Sequence, residues 1–356
     1  MGPRHLLFLT PVSPRRIKGA AVVRSPLGRT PGPYVLEQGL TLMGEVQRGL
    51  DYWKGIPRQP GLCSASPAQR PADGDQSYAT SMNAIRCNIY DHPRYYDLVF
   101  GADWRTEFNF LLTCFQWHGL RNVRRLFEPA CGTGRLLLRL ARAGFDVVGL
   151  DLNERAVRYC NDRFARHGLS RRAFVGDMAS FQLSRPVDAA FNLINSFRHL
   201  TNGRAAASHL RCVSRALREG GLYVIGLHLT PTVGKPTDTE SWRATRGPLS
   251  VATYMRTTER DLRRRTERFV MSYAVQTPRR RFRLADEILF RTYTARQFMR
   301  LVRKVADLEI CGIYDFRYNV HEPIELSPQT ESAVFVLRKR THLGGPSARP
   351  TAKRRV

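Results

Sequence analysis

The 356-residue chain contains no apolar run close to the ~20 residues that would span a bilayer. Its early apolar stretch, "LLFLTPV", is too short and too soon interrupted by Pro11 for the hydrophobic region of a secretory leader. The seven cysteines, Cys63, Cys87, Cys114, Cys131, Cys160, Cys212 and Cys311, are scattered and form no C-x-x-C pair. An odd, dispersed set fits reduced thiols in a cytoplasm better than a disulfide framework or a zinc site, so no metal is expected. Internal repeats are absent. Acidic residues are scarce: 30 Asp+Glu against 57 Lys+Arg give a formal charge of +27, and nearly all the basic residues are arginine. Such a surplus fits a nucleic-acid binder or an enzyme for acidic substrates, and equally an arginine-biased composition with no specific partner. What remains is a cytoplasmic protein whose 42% hydrophobic content can fill one large domain, or one domain plus a smaller one.

Pro, Gly, Ser and Arg dominate residues 1–79 with little sustained periodicity, so this segment reads as a disordered basic extension, with Met43 or Met82 as alternative starts. Residues 341–356 read as a disordered basic tail. The intervening 80–340 alternates. A helix over 104–118 precedes a strand over 123–128, a helix over 133–144 stopped by Gly144, and a strand over 146–150. The next helix has Asn153 as its N-cap and Gly168 past its end. Strands over 172–175 and 187–194, a helix over 203–218 closed by "REGG", and the strand "LYVIGLHL" follow. Strands alternating with helices predict an α/β fold with helices on both faces of a parallel sheet.

The rhythm changes after that strand. Between 249 and 293 the text reads as β-structure, with Phe269, Met271, Tyr273 and Val275 at the two-residue period of a strand. An antiparallel insertion over 230–293, a candidate substrate lid, therefore interrupts the domain. "YTARQ" reads as a capping box between Thr294 and Gln297, starting a helix to about 305. Strands over 308–316 and 332–338 close the fold.

The chemistry is carried by "LFEPACGTGRLLLRLARAGFDVVGLDL". Gly132 and Gly134 give a tight turn and close backbone approach to a ligand, and Asp151 follows about 20 residues on, where a carboxylate reaches ribose hydroxyls. A nicotinamide-binding fold would share these features but carries a third glycine, whose place Leu137 takes. Its side chain is expected to hinder the close helix–strand packing that seats a pyrophosphate. S-adenosylmethionine has no phosphate and no such requirement.

"FEPACGTGR" followed by "VVGLDLN" closely resembles motifs one and two of class I S-adenosylmethionine-dependent methyltransferases. "FVGDMASF" resembles their adenine-contacting acidic loop, "LREGGLYVIGLH" the turn and strand before the substrate region, and "YDHPRYYDLVFG" the segment that closes over the cofactor in small-molecule members. The resemblance implies a Rossmann-like seven-stranded sheet and S-adenosyl-L-methionine as cofactor. It implies that Glu128 organises the methionine end, while the backbone of Ala130, Cys131, Gly132 and Gly134 passes beneath it. Asp151 would accept the ribose hydroxyls with Leu152 beside it, Asp177 would hold the adenine amino group, and Met178 would pack on the ring. Asn195 would face the transferred methyl. Tyr95 and Tyr96 could set ring faces near the sulfonium, or serve as core aromatics.

Methyl transfer requires alignment first and a base only when the acceptor arrives protonated. His199 is the candidate base, with His228 second, both near strand ends where open α/β sheets place ligands. A structural histidine is the competing reading. The insertion favours a small-molecule O or N acceptor, and its ten arginines between Arg256 and Arg283, "RRR" and "RRRFR" among them, suggest an anionic one. They also keep an RNA acceptor as the second reading. "NLINSF", however, lacks the Asn-Pro-Pro-aromatic loop of amino-directed nucleic-acid methyltransferases. A non-catalytic binding module is a third reading, against which the intact Glu128, glycine turn, Asp151 and Asp177 stand. No membrane partner is expected.

Overall fold

The computed structural model describes residues 84–101, 104–305 and 307–341. The extension read over 1–79, with Met43 and Cys63, lies outside the described residues, as do Met82 and residues 342–356 of the tail. In chain order the elements are β1 (Ile85–Arg86), α1 (Pro93–Phe100), α2 (Trp104–Trp117), β2 (Arg125–Pro129), α3 (Leu137–Arg142), β3 (Asp146–Asp151), α4 (Glu154–Arg166), β4 (Ala173–Val175), β5 (Val187–Asn192) and α5 (Gly203–Ala216). They continue with β6 (Leu217–His228), β7 (Thr239–Arg246), β8 (Leu249–Asp261), β9 (Thr266–Gln276), β10 (Arg281–Arg291), α6 (Ala295–Arg303), β11 (Leu308–Tyr314) and β12 (Ser332–Lys339). Two 3-10 turns, Ile89–Asp91 and Ser196–His199, complete the set used below.

Seven strands form the larger sheet in the order β11-β12-β6-β5-β2-β3-β4. All run parallel except β12, which is antiparallel to both its neighbours. Strand order reverses between β2 and β5, and the crevice outside the carboxyl ends of such strands is where open α/β sheets bind ligands. Burial on both faces explains the nearly continuous apolar strands. Leu126, Val224 and Val336 join one core with Phe110, Leu137 and Phe164 of α2, α3 and α4. Phe127, Ile225 and Leu337, one residue on in each strand, join the other with Leu210 and Phe298 of α5 and α6.

A second, five-stranded sheet has the order β1-β10-β9-β8-β7. Strands β7 to β10 form an antiparallel meander, and β1 adds to its edge in parallel to β10. Val251, Met271, Tyr273, Val275 and Leu284 from its strands pack with Leu98 and Val99 of α1. The capping box at Thr294 and Gln297 is present, with both reciprocal hydrogen bonds made.

Several local expectations change. The helix expected over 133–144 begins only at Leu137, because the chain leaves β2 through left-handed Ala130, Gly132 and Gly134 before it can coil. The helix expected to 218 ends at Ala216: Leu217 already pairs with Val187, and "REGG" loops out before Leu222 resumes the register opposite Ala189. Strand β7 had no signal, since "TESWRATR" is an edge strand with most of its side chains exposed. The expected steric conflict at Leu137 is absent as well. Its side chain packs over Gly149 of β3, where an added Cβ would lie 2.6 Å from Leu137 Cδ2. The glycine that permits close helix–strand packing sits on the strand instead of the helix.

Candidate active site

Left-handed residues follow the carboxyl ends of β2 and β5. Ala130 and Asn195 each adopt φ of 55°, unusual for residues with a side chain and a frequent mark of functional turns. Between them the turn after β2 is bound to the end of β3: Gly132 N–H donates to Asp151 Oδ2 at 2.7 Å and Asn153 N–H to Oδ1 at 2.8 Å. Cys131 N–H donates to the Leu150 carbonyl at 2.9 Å. Burial raises the Asp151 pKa, and the two backbone donors partly offset the rise. Each oxygen keeps a further lone pair for a ligand hydroxyl.

Glu128 is buried at the end of β2, and its Oε2 has no hydrogen-bond partner. Burial pushes its pKa well above the carboxylate range, and the nearby Arg135 guanidinium acts in the opposite direction. Arg135 itself is committed to Glu107 of α2. A buried carboxylate oxygen without a partner is costly, and a cationic ligand group would satisfy it.

At the end of β4 the loop is a tight turn, with Asp177 Oδ1 accepting from Ala179 N–H at 2.7 Å. The Met178 carbonyl bonds His209 Nδ1 at 2.9 Å, and His209 Nε2 meets the Tyr223 hydroxyl at 2.8 Å, tying the loop to α5 and β6. Leu152 and Val175 are exposed apolar side chains at the ends of the adjacent strands β3 and β4. Flat apolar surface beside Asp151 and Asp177 is suited to a heterocyclic ring.

A cavity lies between the carboxyl ends of β5 and β6 and the five-stranded sheet, lined by Tyr90, Tyr96, Asn195, His199, His228 and Phe290 among others. Tyr96 shares a face of α1 with Phe100, ring centroids 4.7 Å apart, and an added Cβ at Gly132 would sit 3.6 Å from its ring. It thus bridges the glycine turn and the cavity. Tyr95, expected beside it, lies against Phe282 in the core under the five-stranded sheet and is not among the cavity-lining residues. Consecutive residues on a helix point about 100° apart, so only one of the two tyrosines could face inward. Tyr90 was not expected. It sits in the 3-10 turn before α1, with its hydroxyl 2.8 Å from His199 Nε2. No periodic pattern marks so short a turn; the signal for Tyr90 is its place at the head of "YDHPRYYDLVFG", the segment resembling a cofactor-closing one.

His199 faces the cavity with its ring edge on Phe290. Burial, and then the Arg198 charge, lower its pKa to about 4, and burial first lowers that of His228 to about 4 as well. Both imidazoles are neutral at pH 7. Asn195 accepts from His228 N–H through Oδ1 at 3.0 Å, joining the two strand ends.

The insertion arginines, expected to suit an anionic acceptor, lie mostly away from the cavity. Of the ten insertion arginines only Arg260 lines it, and Glu267 pairs with both Arg260 and Arg198. Arg263 and Arg264 lie in the β8–β9 turn, and Arg279 and Arg280 in the β9–β10 turn, all exposed. Hairpin ends are solvated, which explains both the arginine runs and their distance from the cavity. At the rim stand Glu240 and Glu331, and burial followed by Glu331 raises the Glu240 pKa.

A family model described as "Methyltransferase domain" matches residues 127–221. A protein of Geobacillus sp. (strain WCH70) named as a methyltransferase is 25% identical over 113 residues, 32% of this chain and 46% of that protein. Ribosomal RNA small subunit methyltransferase C of Alcanivorax borkumensis is 34% identical over 70 residues, 20% of this chain and 22% of that one. The chain spans less than half the length of these relatives. Among solved structures, an S-adenosylmethionine-dependent methyltransferase from Clostridium acetobutylicum superposes with a TM-score of 0.60 at 18% identity, covering 71% of this chain and 100% of that one. The amino pentose methyltransferase CalS10 from Micromonospora echinaspora gives 0.55 at 19% identity, covering 72% and 99%. The chain has the class I methyltransferase fold, Rossmann-like, with its seven-stranded sheet.

Among the described residues, no helix is long and apolar enough to cross a membrane.

Proposed function

We propose that the chain is an S-adenosyl-L-methionine-dependent methyltransferase whose acceptor is a small molecule held in the cavity beneath the five-stranded sheet. The observation that carries this reading is the partnerless Oε2 of Glu128 beside a turn anchored on Asp151, because it fits the ammonium and ribose of that cofactor. Glu128 takes the ammonium, the backbone from Ala130 to Gly134 passes beneath the methionine portion, and Asp151 accepts the ribose hydroxyls. Asp177, Met178 and Leu152 bracket the adenine. The group supplies, when bound, a methyl on sulfonium sulfur with a good leaving group.

The protein's own contribution is alignment, which can provide ~7–11 kcal/mol. Tyr96, which borders both the turn and the cavity, and Asn195, which lines the cavity, position the acceptor against the methyl. His199, neutral and hydrogen-bonded to Tyr90, orients the acceptor's nucleophile and takes its proton only transiently, since its conjugate acid is strong. The cavity's two arginines are paired with two carboxylates, Arg198 with Glu267 and Arg260 with Glu267 and Asp238, while Glu240 and Glu331 border the rim, so a basic amine is favoured over an anion. The residue range 230–293 acts as the substrate lid in this reading. The neighbours CalS10 and the sugar N-methyltransferase KedS8 carry amine-related acceptors in their names, in keeping with that chemistry. An RNA acceptor draws on the exposed hairpin arginines and on the ribosomal RNA relative.

Calorimetric titration of the full chain with S-adenosylhomocysteine, with NAD as control, tests the cofactor. Micromolar binding of the former alone is expected; NAD binding, or neither, defeats the proposal. Transfer of labelled methyl to amines but not carboxylates then tests the acceptor class.

A further inference from the structure

A second concavity lies between α3, α4 and the end of β7, lined by Asp97, Arg139, Arg163, Arg166, His167 and Arg246, and shares no lining residue with the first. Four guanidinium groups face one carboxylate there. Asp97 is already committed: Oδ1 accepts from Arg163 at 2.7 Å and from the Thr133 hydroxyl at 3.1 Å, and Oδ2 from Arg246 at 3.1 Å. Arg139 lies over the Trp104 ring, 4.3 Å from its centre, with its Nε buried and without a hydrogen-bond partner. Arg166 is exposed and spends its Nε on the Asp162 carbonyl.

Gathering four guanidinium groups costs free energy that Asp97, paired with Arg163 and Arg246, returns only in part. Burial, followed by Arg163, Arg142 and Arg105, lowers the Arg139 pKa; burial followed by Arg142 and Arg139 lowers that of His167. A bound anion would relieve this repulsion. The planar guanidinium fork matches phosphate oxygens, and converging arginines from α3 and α4 suit a group with several acceptor oxygens and more than one charge.

We infer that this concavity binds phosphate, with Arg139 and Arg166 as ligands, independently of the acceptor cavity. The phosphate could belong to a free phosphorylated ligand or to an RNA backbone. The test is calorimetric titration of the full chain with pyrophosphate, and in parallel with a short single-stranded RNA. Pyrophosphate should bind, and Arg166→Gln and Arg139→Gln should each weaken it by about tenfold or more, as for loss of a hydrogen bond to a charged group. Arg264→Gln and Arg280→Gln on the hairpin turns should leave it unchanged. Because Arg166 is exposed, its variant keeps the fold even if loss of the Arg139–Trp104 stack disturbs the other. RNA binding that pyrophosphate displaces and Arg166→Gln weakens would assign the phosphate to a backbone, and pyrophosphate binding alone would assign it to a free ligand. No binding of either, or binding lowered equally by the hairpin variants, would overturn the site in favour of diffuse surface charge.

Discussion

Asp151 carries two tasks at once, since it fastens the glycine turn through the N–H groups of Gly132 and Asn153 and, in our proposal, holds the ribose. Asp151→Ala should therefore weaken S-adenosylhomocysteine at least tenfold, ~1.4 kcal/mol, when measured by calorimetry. Unchanged affinity would remove Asp151 from the ribose. Histidine sets the acid response. Burial chiefly lowers the pKa of His199, His209 and His228 to about 4, from an ordinary imidazole value of 6.5. Between those pH values the unfolded chain binds more protons than the folded one, so stability is present above pH 6.5 and is lost as pH falls toward 4. For each histidine the slope is at most ~1.4 kcal/mol per pH unit. Thermal melts of the wild type and of His209→Gln over that interval should diverge at neutral pH and converge in acid. Parallel curves would mean that His209 is not held neutral by the fold.

At the scale of elements, strong periodicity was legible and compensation between elements was not. The seven strands of the main sheet, the Asn153 cap and the Thr294 capping box follow from local pattern, because burial on both faces and orphan helix N–H groups dictate residue types directly. The Asp151 spacing likewise exposed the turn. What local pattern could not reveal was that Gly149 makes room for Leu137, because those residues meet only after β3 pairs beside β2. It also missed the position of the insertion arginines, whose side of the sheet depends on turn placement, and the inward Tyr90. The packing yields a coupled prediction. Gly149→Ala should destabilise by ~1–3 kcal/mol, since its Cβ would fall 2.6 Å from Leu137 Cδ2 and 2.8 Å from Cys131 Sγ. Leu137→Ala, which leaves a hole in the core, should be less costly when combined with it. Urea unfolding of the two single variants and the double variant reads the coupling, and strict additivity would show that the two residues do not compete for the same space.

For the whole molecule, the central question is what holds the five-stranded sheet over the α/β sheet so that a cavity persists. Apolar contact with α1 is one part. The other is ionic and buried: Arg198, in the turn after β5, pairs with Glu267 of β9 and donates from Nε to the Arg291 carbonyl at 2.9 Å. Arg260 of β8 joins the same Glu267 and reaches Asp238 at 2.9 Å. Such a network contributes little net free energy relative to an apolar replacement, but losing its shared carboxylate strands the buried Arg198 and leaves Arg260 with Asp238 alone. Glu267→Ala should cost ~3–5 kcal/mol in urea unfolding, against less than ~1 kcal/mol for removal of the exposed Glu154–Arg158 pair on α4. The same change should alter acceptor selection, because an unpaired Arg198 would line a cavity that, in our proposal, favours amines. Inhibition of methyl transfer by small carboxylates, weak in the wild type, should strengthen in Glu267→Ala. Equal inhibition in both proteins would mean that Arg198 and Arg260 do not face the acceptor, and that the charge of the rim does not govern its choice.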